Sequence, residues 1–256
     1  MTVQTVFQRY EQKYWLNAAQ YAHLRDLLAP MMREDAYGRY SICSLYYDTD
    51  QFDLIRASLD KAVYREKLRL RSYGVPNAET RVFLEIKKKF QRRTGKRRIA
   101  LTLRQAQEYL HDGVHPPEEG QILHEMDFLT ERYRLSPKVL IAYDRVALYS
   151  EKDEGLRVTF DTNIRCRTRD LSLEAGDDGE PLSADDRYLM EVKTPSTVPL
   201  WLARILSDCG LLPVSFSKYG EAYRTRIRWT AAGCRTQTVP APAAATALNK
   251  ERIIHV

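Results

Sequence analysis

The chain has 256 residues, of which 44% are hydrophobic and 29% are charged, a composition typical of a globular rather than a disordered protein. Its 40 basic and 34 acidic side chains give a formal net charge of +6, a modest excess for a protein that binds nucleic acid. No apolar run reaches the roughly 18 residues of a membrane span, and the N-terminus lacks the apolar segment of a signal peptide. We therefore expect a cytoplasmic protein with no membrane span and no nucleic-acid partner.

The first half of the chain contains short segments that alternate apolar and polar residues and are rich in Tyr, Val, Ile and Phe, as is typical of β-strands. Two helices are predicted among them, one with Asn17 as its N-cap and one that follows Thr102. In chain order the predicted elements are a strand at 7–16, a helix at 17–29, strands at 40–49, 63–74, 81–90 and 96–103, and a helix at 103–111.

The second half of the chain is predicted to hold three more strands and three more helices. In chain order they are a helix at 120–135, strands at 138–150, 156–169 and 188–195, and helices at 198–209 and 217–229. The helix at 198–209 has Ser196 or Thr197 as its predicted cap and Gly210 beyond its end. From Thr230 onward Ala, Thr and Pro dominate, which predicts a disordered tail at 230–256.

Eight short strands with few long helices between them predict an α+β fold that is mainly antiparallel β. We expect one domain at residues 1–229, in which an eight-stranded sheet closes into a barrel and the helices pack outside. The four cysteines (Cys43, Cys166, Cys209 and Cys234) form no CxxC pair and no cluster with histidine. Neither a zinc site nor a disulfide framework is therefore expected, and the thiols are predicted to be reduced.

The charged residues of the strands recur on one face. Residues i, i+2 and i+4 of a strand share a face, so Lys67, Arg69 and Arg71 lie together, opposite Leu68 and Leu70. A Glu-x-Lys pattern on the same kind of face occurs three times, as Glu11/Lys13, Glu85/Lys87 and Glu191/Lys193. One sheet face is therefore predicted to be apolar, and the other to collect Lys and Arg with a few carboxylates.

Two interpretations of this basic face remain open on the pattern alone. Alternating charge usually lies on the solvated side of an antiparallel sheet. The unbroken cationic row Lys67, Arg69, Arg71 and the repeated Glu-x-Lys pattern instead indicate a surface for a polyanion and a divalent metal. If the sheet closes, this face becomes the interior of a barrel, where so much like charge would repel itself without a bound anion.

Seven short motifs occur in an order that resembles a known family. They are KYW (13–15), SLYYDT (44–49), LRLRSYG (68–74), FLEIKKK with RTGKRR (83–98), AYDR (142–145), LMEVKTP (189–195) and SFSKYGEAY (215–223). Each motif alone is weak, but together, over roughly residues 6–228, they resemble the VTC domain. This domain is the polyphosphate polymerase branch of the triphosphate tunnel metalloenzymes, or CYTH-like proteins. The chain is similar to a stand-alone, bacterial-type version, without the SPX domain and membrane helices of the fungal vacuolar subunits.

The resemblance implies an eight-stranded tunnel that binds ATP, polyphosphate and pyrophosphate or triphosphate. It also implies an enzyme that transfers the γ-phosphate of ATP to a growing polyphosphate chain with Mn²⁺ or Mg²⁺. By match to the family's motifs, the catalytic, phosphate-binding residues are Lys13, Arg69, Arg71, Lys87, Arg145, Lys193 and Lys218, with Arg157 at a further tunnel position. Glu191 is the expected main metal ligand, aided by Glu85 or, through water, by Glu11.

Further residues are predicted to contact phosphate, each on a different argument. Lys67 continues the cationic row of its strand, and Tyr143 either packs in the interior or donates a hydrogen bond to phosphate. In the TGKRR turn, gap-free matching to the family favours Arg97, whereas strand alternation favours Lys96 and Arg98.

Three functions are compatible with these residues. The first is the polyphosphate polymerase, the second is a metal-dependent inorganic or nucleoside triphosphatase of the same fold, and the third is a non-catalytic polyanion-binding module. Ser215 stands where family members often carry a second Lys, so one phosphate contact on the acceptor or product side is expected to be weaker. No Walker A sequence, glycine-rich dinucleotide loop or GxSxG elbow points to a different chemistry.

Overall fold

The structure, a computed structural model, describes residues 6–8, 10–90, 93–117, 120–183 and 187–228. The predicted tail at 230–256 lies outside these residues. Within them ten strands form one sheet: β1 (Val6–Gln8), β2 (Tyr10–Leu16), β3 (Arg33–Asp48), β4 (Tyr64–Tyr73), β5 (Arg81–Phe90), β6 (Arg93–Thr102), β7 (Ser136–Tyr149), β8 (Arg157–Arg167), β9 (Glu180–Pro181) and β10 (Tyr188–Thr194). All pairs are antiparallel, which confirms the predicted α+β class with a mainly antiparallel sheet.

The strand order places the first two strands at opposite ends of the sheet. The order is β1-β6-β5-β4-β3-β7-β8-β10-β2, and β9 pairs with β8. β1 and β2 are separated by only one residue in the chain, yet β1 pairs with β6 and β2 pairs with β10. No ladder joins β1 to β2 within the described ranges, so the predicted closed barrel is not confirmed in this detail.

Most strand boundaries agree with the alternation in the sequence. β5 spans the predicted 81–90, and β4 and β7 differ from their predictions by one or two residues at each end. β3 differs most, because it begins at Arg33 rather than at residue 40. Its first part contains Gly38 at φ 59° and a break in the register with β7 between Glu34 and Arg39. These irregularities interrupt the alternation by which a strand is recognised.

Six α-helices occur in the described part of the chain: α1 (Ala18–Leu28), α2 (Asp53–Leu59), α3 (Leu103–Gln107), α4 (Gln121–Arg132), α5 (Leu200–Asp208) and α6 (Lys218–Ala222). α3 and α6 continue as π-helical segments over Glu108–Asp112 and Tyr223–Ile227. Asn17 caps α1 as predicted, and Thr102, which the predicted helix follows, caps α3; their side-chain oxygens accept backbone N–H donors at 2.8 and 3.2 Å. None of the helices described is both long and apolar enough to cross a membrane.

Two helix starts differ from the prediction. α5 has Pro199 as its N-cap, not Ser196 or Thr197, because the preceding segment forms a turn around the hydroxyl of Thr194. α2 was not predicted at all. It begins where the buried carboxylate of Asp48 accepts two backbone N–H groups of the first turn at 2.9 and 3.0 Å, a cap that lies outside the usual sequence position.

The outer face of the sheet is apolar and packs under the helices. Leu68 and Leu70 of β4 and Leu84 and Ile86 of β5 are at most 1% exposed, and they contact side chains of α3 and α4. A second apolar cluster joins β2, β8 and β10 to α1 and α5. Each fully buried side chain of this size contributes about 1.5–3 kcal/mol to stability. Because these apolar side chains face outward under the helices, the charged residues that alternate with them face inward.

Candidate functional site

A cavity of about 360 Å³ lies on the inner face of the sheet. Every one of the eight long strands contributes to its wall, together with α6. Fifteen of the sixteen residues predicted to bind phosphate or metal line it: Glu11, Lys13, Lys67, Arg69, Arg71, Glu85, Lys87, Lys96, Arg98, Tyr143, Arg145, Arg157, Glu191, Lys193 and Lys218. The strand alternation therefore brings together side chains from distant parts of the chain.

Arg97 is the predicted residue that lies elsewhere. It stands on the outer face of β6, where its guanidinium forms an ion pair with Glu125 of α4. Lys88 reaches the same carboxylate from β5 at 2.9 Å. The two neighbours of Arg97, Lys96 and Arg98, face the cavity. The placement thus follows strand alternation and corrects the gap-free match to the family, which favoured Arg97.

On β4, β5 and β6 a buried glutamate positions three cations. Glu85 Oε2 accepts from Arg69 Nε at 2.7 Å, and Glu85 Oε1 lies 2.5 Å from Lys96 Nζ. Arg71 lies 3.9 Å from the same carboxylate and donates to the hydroxyl of Tyr143 at 3.2 Å. Burial opposes ionisation of Glu85, but these three cations hold its pKa well below the usual range. The carboxylate is therefore charged and fully engaged by cations.

On β2 and β10 a second glutamate lies among four cations. Glu191 is within 2.7 Å of Lys193, 3.3 Å of Lys13, 3.5 Å of Lys218 and 3.7 Å of Arg145. Burial would raise its pKa, but the surrounding cations, Lys13 first among them, hold the pKa well below its ordinary value. Glu191 is therefore a carboxylate at the centre of a cationic shell.

Glu11 stands at the edge of this shell and links two distant strands. Its carboxylate lies 3.2 Å from Lys13 on β2 and 3.6 Å from Lys87 on β5. Burial opposes ionisation, but Lys87 and Lys13 lower the pKa of Glu11 to about 2. Because Lys13 contacts both Glu11 and Glu191, one ammonium group separates the two carboxylates.

Asp161 is the main site residue that was not predicted as one. It is completely buried behind the cavity, where Arg145 donates to both of its oxygens at 2.6 and 2.8 Å. Lys218 donates to Asp161 Oδ2 at 2.5 Å. Burial disfavours its charge, but Arg145 and Lys218 hold the pKa of Asp161 below its ordinary value. The alternation of β8 put Asp161 on the inner face, but no sequence signal identified its partners.

Tyr143 lies in the wall of the cavity and contacts two of its cations. Its hydroxyl accepts from Arg71, and its ring centre lies 4.3 Å from Lys218 Nζ. This arrangement favours a positioning role over a direct contact with phosphate. The cavity is also lined by residues that were not predicted as site residues: Tyr40, Tyr46, Tyr73, Ala147, Thr159 and Ser217. Strand alternation carries the signal for Tyr73, Ala147 and Thr159, because each shares a face with a predicted cation of its own strand.

The wall carries far more positive than negative charge. Among the residues that the structure describes, eleven Lys or Arg side chains line the cavity against three Glu side chains. Lys67 lies directly opposite Lys87 in the register of β4 and β5, and Arg65 lies opposite Lys89. Like charges in such positions destabilise a sheet. Burial, then Lys87 and Lys13, lowers the pKa of Lys67 to about 7, which shows that the wall disfavours a further positive charge.

The donors available to a metal ion are few. Within the described ranges no three His, Cys, Asp or Glu side chains converge as a metal site. Glu11 and Glu191 share Lys13 between them, whereas Glu85 is engaged by a separate set of cations. The hydroxyl of Thr159, which faces Glu191 across β8 and β10, is buried and has no hydrogen-bond partner among the residues that the structure describes. This arrangement fits an ion such as Mg²⁺, which commonly takes one or two carboxylates and completes its shell with water and phosphate oxygens.

The fold and the cavity define an antiparallel β protein whose interior is basic and holds a few charged carboxylates. The model of the VTC domain family matches residues 8–227, and the chain belongs to this family. The resemblance seen in the seven sequence motifs is thereby confirmed.

Curated relatives and a solved structure agree with this membership. The chain is 26% identical to vacuolar transporter chaperone complex subunit 4 of Trypanosoma cruzi, over 84% of this chain and 34% of that protein. It is 25% identical to the subunit of the same name from Trypanosoma brucei brucei, over 86% of this chain and 34% of that protein. The chain thus spans about a third of the length of these relatives.

A protein from Bacillus halodurans, described as an adenylate cyclase candidate, has a solved structure that superposes with a TM-score of 0.58. The two chains are 15% identical, and the match covers 87% of this chain and 100% of the other. At this identity the likeness establishes a shared fold.

Proposed function

We propose that the protein is a polyphosphate polymerase, which transfers the γ-phosphate of ATP to the end of a polyphosphate chain. The observation that carries the proposal is the excess of cations in the cavity, eleven against three carboxylates within the described ranges, on strands whose like charges face one another. A phosphate chain is the ligand that neutralises such a wall over several strands. Membership of the VTC domain family, and similarity to subunit 4 of the vacuolar transporter chaperone complex, support this choice over other polyanions.

The inner face acts in this proposal as a tunnel. β1 and β2 lie at the two ends of the strand order but follow one another in the chain, so the backbone itself passes from one end to the other. The contact of Glu11 on β2 with Lys87 on β5 crosses the same gap at 3.6 Å. Both features support a sheet that closes around its ligand, as the resemblance to the family implies.

The cations of the wall are held in position before a substrate binds. Glu85 holds Arg69 and Lys96, and Asp161 holds Arg145 and Lys218. Phosphoryl transfer depends mainly on positioning and on stabilising the charge of the transferred group. In the reaction, a terminal oxygen of the polyphosphate chain bonds to the γ-phosphorus, and the bond from that phosphorus to ADP breaks. The terminal phosphate is already ionised, so the acceptor needs no strong general base.

A divalent metal ion, Mn²⁺ or Mg²⁺, is held in this proposal by Glu191, with Glu11 beside it. When bound, the ion neutralises phosphate charge and helps to align the reacting oxygens. Glu85 is assigned to positioning rather than to the metal, because its two oxygens contact Arg69 and Lys96. The hydroxyl of Thr159 lies next to Glu191 in the register and is available to a phosphate oxygen or a water near the ion.

A triphosphatase of the same fold is the second candidate. It is favoured by one observation, the exposed Ser215 where family members often carry Lys, since a weaker acceptor site would let water compete for the phosphoryl group. A third candidate is a non-catalytic polyanion-binding module. All three predict phosphate binding but different products.

The products of ATP separate these candidates. We would incubate the protein with ATP and Mn²⁺ and separate the phosphate products by length. Long chains support the polymerase, orthophosphate alone supports the triphosphatase, and no product supports the binding module. Arg69→Ala and Lys193→Ala should abolish turnover and leave the fold intact, while Lys88→Ala, on the outer face, should retain it. Normal turnover in both cavity variants would contradict the assignment of the site.

Glu191→Gln tests the metal separately from the phosphate site. This variant should lose metal-dependent turnover because it removes the main carboxylate ligand. It should still bind inorganic tripolyphosphate without metal, since four cations around residue 191 then lack a competing carboxylate. Calorimetric titration with tripolyphosphate, with and without Mn²⁺, measures both effects. Full turnover in Glu191→Gln would show that Glu191 is not a ligand of the metal.

A further inference from the structure

The inward-facing rows of three neighbouring strands end on aromatic side chains at the same end of the cavity. On β4 the row that contains Arg69 and Arg71 ends at Tyr73. On β5 the corresponding residue is Phe83, which pairs in register with Arg71. On β3 the corresponding residue is Tyr40, two positions from Ile42, the register partner of Tyr73. At this end of the cavity the inward-facing residues of these strands are therefore aromatic rather than cationic.

These rings form a continuous contact chain, which we call the aromatic mouth (Tyr37, Tyr40, Tyr73 and Phe83). Successive ring centres lie 5.9, 5.9 and 5.8 Å apart from Tyr37 through to Phe83. The guanidinium of Arg98 lies 4.7 Å from the centre of the Phe83 ring. Tyr40, Tyr73 and Arg98 all line the cavity, so the aromatic mouth is continuous with the phosphate site.

Two rings of the aromatic mouth are exposed in a way that core packing does not explain. Tyr37 is 79% exposed and Tyr73 is 47% exposed. Exposed rings beside a ligand cavity are typical of recognition surfaces rather than of a folding core. A phosphate chain can accept hydrogen bonds from tyrosine hydroxyls, but it has no planar surface to stack on the rings. The exposed rings therefore favour a ligand that carries a planar, stackable group next to its phosphates.

The opposite end of the cavity has different chemistry. There Arg65 lies opposite Lys89, and Lys67 lies opposite Lys87. This end attracts phosphate but offers no comparable set of rings among the residues that line it. The two ends of the cavity are thus chemically distinct, one aromatic and one cationic.

We propose that the aromatic mouth stacks the nucleobase of the nucleoside triphosphate whose phosphates occupy the cavity. Bases of any kind stack on Tyr and Phe rings, and a guanidinium adds a cation–π contact. The inference rests on the proposed function, because it assumes that the cavity holds the triphosphate. It also sets a direction: the base lies at the aromatic mouth, and the γ-phosphate points toward Lys67 and Lys87.

Binding of two ligands that differ only in the nucleoside tests the proposal. We would titrate the full chain with ATP and with inorganic tripolyphosphate by calorimetry, in wild-type protein, Tyr37→Ala and Tyr73→Ala. Both variants should bind ATP about tenfold more weakly, since each removes a stacking surface. Their affinity for tripolyphosphate should not change, which also shows that the site remains folded. Tyr73→Phe keeps the ring and should restore binding of ATP.

Tyr10→Ala is the matched control, because Tyr10 is 69% exposed but lies on the outer side of β2, away from the cavity. It should bind both ligands as the wild type does. The inference is overturned if Tyr37→Ala and Tyr73→Ala bind ATP normally, or if they weaken ATP and tripolyphosphate equally. The proposed function fails separately if the wild-type protein binds neither ligand.

Discussion

Arg145 and Asp161 form a buried bidentate ion pair, with Nε 2.6 Å from Oδ1 and Nη2 2.8 Å from Oδ2. Lys218 adds a third contact to the same carboxylate at 2.5 Å. Asp161 itself does not line the cavity, whereas both of its cationic partners do. Its role is therefore to fix the position of two cations that would otherwise repel each other, before any phosphate binds.

Asp161→Asn should strongly destabilise the protein. Removing one partner of a buried ion pair leaves uncompensated charge, which typically costs about 3–5 kcal/mol of unfolding free energy. Urea unfolding measures this loss, and tripolyphosphate should stabilise the variant more than the wild type because it supplies the missing negative charge. Asp50→Asn is the matched control, since Asp50 contacts Lys138 at 2.7 Å on the surface and should tolerate the change. Wild-type stability in Asp161→Asn would contradict the anchoring role.

Truncation of two neighbouring residues on β6 should have different effects on phosphate binding and turnover. Lys96 faces the cavity 2.5 Å from Glu85, whereas Arg97 pairs with Glu125 on the outer face. Lys96→Ala should weaken tripolyphosphate binding and turnover. Arg97→Ala should retain both, with a loss of at most about 1 kcal/mol of stability, as expected for a half-exposed ion pair. If Arg97→Ala lost more phosphate affinity than Lys96→Ala, the assignment of Lys96 to the inner face and of Arg97 to the outer face of β6 would be wrong.

Much of the site could be predicted because strand alternation is a local property. Leu68, Leu70, Leu84 and Ile86 must be buried, and this fixes the inward direction of the residues between them. The cavity residues of β4 and β5 follow directly. The family resemblance alone was less reliable on β6, where a gap-free match selected Arg97 although alternation selected its neighbours.

Other features depend on contacts between distant segments. Strict alternation along β8 from Arg157 and Asp161 places Arg165 on the inner face, but Arg165 contacts Asp177 and Asp144 instead. The register of β7 and β8 shifts near Asn163, which has a φ of 48°. The residues beyond this shift therefore no longer follow the alternation of the first part of β8. A bulge of this kind has no clear signal in the sequence, and neither has the choice of Asp161 as the partner of Arg145.

Tyr219→Phe should weaken phosphate binding through the position of Lys218. The Tyr219 hydroxyl donates to the buried carboxylate of Asp48 at 2.9 Å and so anchors α6, where Lys218 is the preceding residue. Loss of a hydrogen bond to a charged group costs about 1.5–3 kcal/mol, measurable by urea unfolding. Calorimetry with tripolyphosphate should show reduced affinity as well.

Tyr109→Phe provides the matched control for this anchor. Tyr109 also donates to an aspartate, Asp127, at 2.7 Å, but it lies in the apolar cluster on the outer side of the sheet. It should lose stability without any change in phosphate affinity. Equal phosphate affinity in Tyr219→Phe and the wild type would show that Tyr219 serves stability alone.

Lys67 should make phosphate binding depend on pH. Burial, followed by the charges of Lys87 and Lys13, lowers its pKa to about 7, whereas in the unfolded chain the pKa is about 10.4. Between these values the unfolded chain binds more protons, so this group makes the free protein more stable as the pH rises. A bound polyanion favours the charged ammonium and raises its pKa. Binding should therefore take up protons above pH 7 and weaken as the pH increases through that value.

Lys67→Arg isolates this effect because an arginine keeps its charge throughout the range. Titrations with tripolyphosphate at pH 8, in buffers of different ionisation enthalpy, give the number of protons taken up. The uptake should be smaller in Lys67→Arg than in the wild type, and the affinity should fall less between pH 6.5 and 8.5. Some uptake should remain, since burial also lowers the pKa of Lys96, a shift that its ion pair with Glu85 opposes. Protonation of tripolyphosphate itself is common to both proteins, so their difference reports Lys67, and identical proton uptake would show that Lys67 is already charged in the free cavity.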